Sequence, residues 1–407
     1  MTATSPVTGW SDDFDVLDAA YIADPFGIWD ELRTTCPIAH TERRGSTWLP
    51  TRYDDVTAIA HDIEHFSSLE VAVIPFNGEI DGVDAERRGE EVLPYGLPPI
   101  SADPPLHTWT RRLLLPWFSH RRVEGYEAMT RSLCARLIDG FVATGCADAA
   151  ADYAQQIPVR VIAHVLGVSP ELSDTFTSWV RDVLEFADDH ERRVEGMRGL
   201  ITYFVDEIAR RKVDPGDDLL SELLHTQVDG VQVEDSLVLG QAALVLIAGV
   251  DTTWSAIGSA LWHLATHPED RRRLAAADPG LMALAVEELL RAYSPVTMAR
   301  LVTTDIDYEG CPMRAGDKVL MNFPAANRDP AVFPDADTVV LDRAHNRHVA
   351  FGSGIHRCAG SNLARMELRV ALEEWLARIP EFRLADGAEV AWAGGQVRGP
   401  RRLPIAF

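Results

Sequence analysis

Cysteine is scarce in this chain of 407 residues: there are five, Cys36, Cys134, Cys146, Cys311 and Cys358. Their number is odd, their spacing is wide and no Cys-x-x-Cys occurs. These features argue against a disulfide framework and against a four-cysteine zinc site. A cysteine that carries chemistry here is therefore expected to act alone.

Positive charge is scarce as well. Lys and Arg number 38 against 62 Asp and Glu, which gives a net charge of -24. Such an acidic chain is a poor candidate for nucleic-acid binding because phosphates repel it, although a local basic patch is not excluded.

Long apolar runs and a leader sequence are missing too. Residues 1–15 have no basic start and no apolar stretch, so they do not resemble a signal peptide. The longest apolar run, residues 237–250, is too short to span a membrane and contains Gln241. We therefore expect a soluble, cytoplasmic protein, and the 46% hydrophobic content is ample for a large core.

The apolar pattern predicts a mainly α protein with small β-sheets. Residues 46–52 and 69–74 have the composition of strands, whereas residues 75–101 are rich in Pro and Gly and predict a long irregular loop. From Asp103 to about residue 295 the pattern is helical, with helix starts at Asp103–Pro104 and Asp278–Pro279. Strands, a loop, a long helix and a strand-and-turn tail are expected next, over 300–325, 326–357, the residues after Cys358, and 397–407.

Cys358 lies in the segment FGSGIHRCAG, residues 351–360. Its glycines permit tight turns and a close backbone approach to a flat ligand. The cysteine stands where a helix is predicted to begin, and the backbone N–H groups there stabilise a thiolate. Two alternatives are a structural cysteine packed as a small hydrophobe and a zinc site. The zinc site would use His345, His348, His356 and Cys358.

A second chemical pattern lies in LVLIAGVDTTWSAIG, where apolar residues precede Asp251 and Thr252. Gly249 weakens the helix, and a Thr hydroxyl can bond to a carbonyl one turn earlier, so a groove could open here. The alternative is a helix kink with a solvated aspartate.

The Cys358 segment resembles the haem-binding signature of the cytochrome P450 family, Phe-x2-Gly-x3-Cys-x-Gly, whose fixed places are filled by Phe351, Gly354, Cys358 and Gly360. The resemblance implies a single-domain cytochrome P450 fold over residues 1–407, with a β-containing part in about 1–100 and a helical part in about 101–407. It also implies haem b, iron protoporphyrin IX, with Cys358 as the axial thiolate ligand of the iron. The haem would lie between the oxygen-groove helix, which carries Asp251 and Thr252, and the Cys-loop helix, which follows Cys358.

Further segments resemble the same family in order and separation. Ala248, Gly249, Asp251, Thr252 and Thr253 match its oxygen-activating motif, which implies that Thr252 hydrogen-bonds iron-bound oxygen and that Asp251 relays protons. The resemblance further implies a structural, non-catalytic network of Glu288, Arg291 and Arg343. It implies haem contacts in two groups: Ala248, Phe351, Gly352 and Gly360, and for the propionates His107, Arg111, Arg300 and His356.

The family's substrate-contact regions match mostly apolar residues here, which implies an apolar substrate. The matching residues are Tyr95, Leu244, Ile247, Ala248, Val296, Met298 and Val397.

The expected function is an O₂-dependent, iron-binding haem monooxygenase, an oxidoreductase that hydroxylates or dealkylates a small-to-medium apolar compound. Electrons are expected from a separate ferredoxin and its reductase. A proximal patch would receive the ferredoxin, built from Arg112, Arg121, Arg122, Arg357 and Arg365. Alternatives are a haem-binding sensor or carrier, and a peroxide-driven haem enzyme. A looser likeness to members that act on terpenoids or small aromatics leaves the substrate open among terpenoids, aromatics, fatty acids and steroids.

Overall fold

The computed structural model describes residues 5–75, 93–228, 230–276 and 279–407. The helices of these residues are α1 Ala19–Ala23, α2 Phe26–Thr35, α3 Tyr53–His61, α4 Leu106–Leu114, α5 His120–Phe141, α6 Gln156–Leu166, α7 Ser173–Leu184, α8 His190–Val213, α9 Leu219–His225, α10 Asp235–Thr266, α11 Pro268–Ala275, α12 Pro279–Ala292, α13 Phe323–Ala326 and α14 Ser361–Arg378. The strands are β1 Ile38–Thr41, β2 Thr47–Pro50, β3 Phe66–Ser67, β4 Cys146–Asp148, β5 Gln227–Val228, β6 Val231–Gln232, β7 Met298–Val302, β8 Ile306–Tyr308, β9 Cys311–Met313, β10 Lys318–Met321, β11 Arg383–Leu384, β12 Ala391–Ala393, β13 Gly399–Arg402 and β14 Pro404–Ala406. The predicted fold class, mainly α with small β-sheets, is confirmed.

The largest sheet has five strands in the order β1-β2-β10-β7-β3. β1 and β2 form an antiparallel hairpin, β10 joins β2 in parallel, and β7 runs antiparallel to β10. The predicted strand over 46–52 is therefore present as β2, and the strands expected in 300–325 are β7 to β10. This sheet joins the N-terminal part of the chain to the segment after α12.

The strand predicted over residues 69–74 is wrong. The segment lies beside β7, where Val71 O accepts one backbone hydrogen bond from Ala299 N at 2.9 Å, but it forms no ladder. Its apolar residues reflect burial, since Val73 packs into the core beside the sheet. Alternation of apolar residues reports a buried face, and this can occur without strand pairing.

Of the two predicted helix starts, one lies later in the chain than expected and the other falls partly outside the described residues. α4 begins at Leu106, and Asp103 does not cap it: its carboxylate accepts hydrogen bonds from Ser67 Oγ at 2.5 Å and Ser68 N at 3.0 Å. Asp278 lies outside the described residues, as do residues 76–92 of the predicted 75–101 loop. Residues 93–101 form turns.

α10 is the central helix. It packs against α6, α7, α8 and α14 and against strand β13. By length and composition it is the one helix of the described residues that could cross a membrane, but 78% of its apolar window is buried inside the protein. The helix is longer than the apolar run in the sequence because polar residues such as Asp251 are also buried on it. It therefore serves as the core helix against which the Cys358 helix, α14, is placed.

Candidate active site

The Cys358 segment forms a tight loop before α14. Gly352 and Gly354 have φ values of +73° and +69°, the left-handed region that favours glycine. A Cβ on Gly354 would also lie 2.4 Å from the carbonyl oxygen of Ala60 in α3. The loop closes where Cys358 N donates to Phe351 O at 2.7 Å. These contacts fix the sulfur's place at the start of the helix.

Gly360 differs from the other two glycines. Its φ of -83° is open to any residue, and an added Cβ would meet Cys358 Sγ at an ordinary contact distance of 3.9 Å. Gly360 lies in a turn, as expected, but its backbone conformation does not require glycine there. Its backbone N–H is turned to Cys358 and favours the thiolate.

Cys358 is exposed, yet enough protein surrounds its sulfur that burial raises the pKa of the thiol. A group that is both accessible and surrounded lies in a concavity. The N–H of Gly360 and the charges of Arg111, Arg365 and Arg357 oppose the shift and favour the thiolate. The sulfur thus lies in a hollow beside positive charge, an environment in which a thiolate could act as a ligand.

The four residues predicted to bind propionates converge beside this loop. The rings of His107 and His356 lie 4.3 Å apart between centroids. Burial, and then the charges of Arg300, His107 and Arg111, lower the pKa of His356 to about 3. Burial also lowers the pKa of Arg300 to about 10, and the pKa values of His107 and Arg111 fall for the same first reason.

This cluster fits an anionic ligand. His356 Nε2 is buried without a hydrogen-bond partner among the described residues. The Nη2 of Arg111 donates to the carbonyl of Arg357, next to Cys358. Burial and mutual repulsion disfavour the charged forms of these basic groups, and a bound anion would stabilise those charged forms. The two carboxylates of a haem are anions of this kind, so the residues present fit that group.

Thr252 and Asp251 lie on α10. Thr252 Oγ1 donates to Ala248 O at 2.8 Å, which is the expected hydrogen bond to a carbonyl one turn earlier in the helix. Gly249 allows α10 to approach α6, since a Cβ there would lie 2.6 Å from Ile162 Cδ1. Ala248, Gly249 and Thr252 are partly exposed between buried neighbours, as a groove requires.

Asp251 is not a solvated aspartate. It is fully buried, and Arg401 Nη2 on β13 donates to its Oδ1 at 2.6 Å. Its Oδ2 has no hydrogen-bond partner among the described residues. Burial raises the pKa of Asp251 to about 6, although the charge of Arg401 opposes the shift. The carboxyl group is therefore able to take up and release a proton near neutral pH.

Arg401 is a site residue that the sequence did not indicate. It also donates to Glu185 Oε1 and to Ser255 Oγ, and its guanidinium lies 4.2 Å from the centre of the Trp254 ring. Glu185 in turn accepts from Arg181 Nε at 2.9 Å. No spacing links residues 150 positions apart, so only the packing of β13 on α10 could reveal the pair.

Glu288, Arg291 and Arg343 form a buried network beneath the site. Arg291 donates to both carboxylate oxygens of Glu288, at 2.8 and 2.9 Å, and Arg343 Nε donates at 2.9 Å. Asn346 Nδ2 and Val340 N complete the set at 3.1 and 2.8 Å. The three predicted side chains thus meet in the core and tie α12 to the loop that precedes Cys358.

The predicted pocket residues are brought together in part. Val296 and Val397 form an antiparallel bridge, and Gln396 donates to Met298 Sδ at 3.6 Å. Leu244 and Ile247 are buried on α10, next to Ala248. Tyr95 lies apart from them. Its hydroxyl donates to Glu234 at the N-terminus of α10 at 3.3 Å, roughly 20 Å along the helix from Ile247.

The structure leaves only part of the predicted basic patch exposed, and it does not support the alternative zinc site. Arg112, Arg121 and Arg357 are exposed. By contrast, Arg365 is paired with Glu287, and Arg122 lies over the Trp117 ring. Within the described ranges no three His, Cys, Asp or Glu residues could hold a metal ion, and the ring of His348 faces Glu287.

Comparisons with known proteins extend over nearly the whole chain. The family model described as Cytochrome P450 matches residues 280–384. Mycinamicin IV hydroxylase/epoxidase of Micromonospora griseorubida is 37% identical, over 94% of this chain and 95% of its own length. Vitamin D(3) 25-hydroxylase of Pseudonocardia autotrophica is 34% identical over 98% of both. The structure of cytochrome P450 CYP109Q5 from Chondromyces apiculatus matches with a TM-score of 0.86 and 31% identity, over 98% of both chains.

Proposed function

The chain belongs to the cytochrome P450 family and is a monooxygenase, and we propose that it inserts one oxygen atom of O₂ into a small-to-medium apolar compound, by hydroxylation or oxidative dealkylation. Relatives named for mycinamicin IV and vitamin D(3) support a hydroxylation of this kind. We further propose that it is cytoplasmic and receives electrons from a ferredoxin and its reductase.

One observation carries the proposal: two arginines and two histidines converge beside an accessible cysteine, and the N–H of Gly360 and nearby arginine charges favour its thiolate against the effect of burial. Cys358 would hold the iron of haem b, and the propionates would be bound by His107, Arg111, Arg300 and His356. When bound, the haem supplies the activation of O₂. A structural cysteine would not need this set of basic residues.

Two side chains of α10, Asp251 and Thr252, can hold and transfer protons. Asp251 has one oxygen on Arg401 and one without a partner, and its pKa of about 6 lets it exchange a proton near neutral pH. Thr252, on the same helical turn, holds its hydroxyl proton on Ala248 O and can turn it toward a ligand in the groove. A haem sensor or a peroxide-driven enzyme has no need of this pair, so the arrangement favours O₂ as the oxidant.

The Cys358 assignment is tested by a carbon monoxide difference spectrum of the reduced holoprotein. We expect the red-shifted thiolate band in the wild type and its loss in Cys358→Ser. Cys146→Ser is the matched control, since Cys146 is exposed and lies on β4. A wild-type protein that binds haem but lacks the band would contradict the proposal.

The pocket assignment is tested by the spin-state change that follows substrate binding. Terpenoids, aromatic ethers, fatty acids and steroids would be screened for a low-to-high-spin shift. For any compound that binds, Val397→Phe should weaken binding about tenfold or more, because the larger ring fills space beside Val296. Val213→Phe is the control, since Val213 is 86% exposed. Equal binding by both variants would place the substrate elsewhere.

A further inference from the structure

Arg365 lies near the start of α14, after Cys358 in the chain. Glu287 binds one side of its guanidinium group. Arg365 Nε and Nη2 donate to the two oxygens of Glu287 at 2.6 and 2.8 Å. His348 Nε2 binds the same carboxylate at 3.0 Å. A planar guanidinium with two such bonds has little freedom to turn.

The other side of this group faces the Cys358 loop. The guanidinium carbon of Arg365 lies 4.3 Å from the centre of the Phe351 ring, a cation–π contact. The backbone oxygen of Phe351 accepts the N–H of Cys358 at 2.7 Å. A continuous chain of contacts therefore runs from Glu287 through Arg365 and Phe351 to the backbone of Cys358.

The holding carboxylate is charged under ordinary conditions. Burial opposes the ionisation of Glu287, but hydrogen bonds from His348 and Arg365 outweigh it and lower the pKa of Glu287 to about 2. Both Arg365 and Glu287 have side chains only 29% exposed, so solvent screens their pairing incompletely.

We propose that Arg365 is a positioning residue for the Cys358 ligand: clamped by Glu287 and stacked on Phe351, its fixed positive charge withdraws electron density from the sulfur and raises the reduction potential of the iron. The inference rests on the proposed haem-thiolate function. It also sets Arg365 apart from the exposed arginines of the predicted ferredoxin patch, because its Nε and Nη2 are bound to Glu287.

The test is the midpoint potential of the haem iron in the holoprotein, with and without substrate. Arg365→Gln removes the positive charge, so the potential should shift to more negative values. Glu287→Gln removes the negative charge that partly offsets Arg365, so the potential should shift to more positive values. Arg365→Lys keeps the charge and should recover part of the loss. A merely structural role would move the first two variants in the same direction.

Arg369→Gln is the matched control. Arg369 lies one turn further along α14, is 30% exposed and binds Glu127 at 2.6 Å, but it makes no contact with Phe351 among those described. Its potential should equal that of the wild type. Should Arg365→Gln fail to load haem, Arg365→Lys and Glu287→Gln still decide the sign of the effect.

The outcomes separate the two proposals. A wild type without the red-shifted carbon monoxide band overturns the proposed function itself. A wild type with the band, and variants whose potentials do not move in opposite directions, overturns only the role of Arg365. An unchanged potential with a raised KM for ferredoxin in Arg365→Gln would return Arg365 to the docking patch.

Discussion

Glu288 and Arg291 show at the scale of single residues what a buried charge requires. Both side chains are fully buried, and each charged group is surrounded by hydrogen-bonding partners, Arg291 reaching the carbonyls of Asn327, Ala336 and Thr338 as well as Glu288. Such a network tolerates its members only as a set, because removing one leaves the others buried and unpaired.

Arg291→Ala should therefore destabilise the fold by about 3–5 kcal/mol, the usual effect of breaking a buried ion pair. The free energy of unfolding from urea titration measures it. Arg272→Ala is the control, because Arg272 and Glu269 form an exposed pair with the same spacing, and exposed pairs contribute about 0–1 kcal/mol. A similar small loss in both variants would show that the Glu288 network does not support the core.

Asp251 predicts a pH dependence of stability. Its pKa is about 6 in the folded protein against an ordinary value of 3.8, so the folded state binds the proton more tightly. The stability from this protonated group is fully present below about pH 4 and is lost as the pH rises through about 6. Asp251→Asn cannot titrate, so the stability of the wild type relative to this variant should fall over that window, by up to roughly 3 kcal/mol.

Unfolding free energies of both proteins at pH 4, 5, 6 and 7 would show the divergence. Thr252→Ala is the companion variant, since Thr252 neighbours Asp251 and does not ionise; its curve should follow the wild type. Parallel curves for wild type and Asp251→Asn would mean that Arg401 keeps the carboxylate ionised in this range.

At the scale of elements, the approach of β13 to α10 positions Arg401 beside Asp251. A Cβ on Gly399 would lie 2.4 Å from Ser255 Cβ and 2.6 Å from Ser255 Cα. These are backbone-near atoms of a packed helix, so they cannot move aside as the end of a long side chain can. The absence of a side chain at Gly399 thus lets the strand lie close enough for the ion pair.

Gly399→Ala should separate the strand from the helix and destabilise the protein by about 1–3 kcal/mol. It should also lower the yield of product per O₂ consumed, because the contact between Arg401 and Asp251 lengthens. Gly140→Ala is the control, since Gly140 is an exposed helical residue with nothing within 4 Å of an added Cβ. That change should stabilise by about 0.5–1 kcal/mol. Thermal unfolding compares the two, and a neutral Gly399→Ala would contradict the close packing.

How far apart contacting elements lie in the chain explains which features the sequence could predict. Motifs within one turn or loop, such as the segment around Cys358, were readable because their spacing alone determines their geometry. Arg401 and Glu287 were not identified as site residues, since their partners, Asp251 and Arg365, lie far along the chain and no periodicity connects them. The strand expected over 69–74 failed for a related reason: composition reports burial, but pairing depends on a partner that the segment itself does not contain.

At the scale of the whole molecule, charge is distributed unevenly. The chain carries a net charge of -24, yet Arg112, Arg121 and Arg357 are exposed near the Cys358 helix, where Leu115 is an exposed apolar neighbour. A small positive area on a negative body attracts an acidic partner at one place and repels it elsewhere. The exposed arginines therefore favour the side of the molecule on which α14 begins as the place where the proposed electron donor would bind.

This distribution predicts how the ferredoxin proposed above would bind the enzyme. The KM for ferredoxin should rise severalfold between low salt and 0.5 M salt, because salt screens the attraction between exposed charges. Arg112→Gln should raise the KM at low salt and reduce its salt dependence, since one attracting charge is gone. Arg198→Gln on α8, where Arg198 pairs with the exposed Glu195, is the matched control and should leave both unchanged. Steady-state reduction assays with purified ferredoxin at several salt concentrations measure the effect. A KM that does not respond to salt would mean that apolar contact around Leu115, rather than charge, holds the partner.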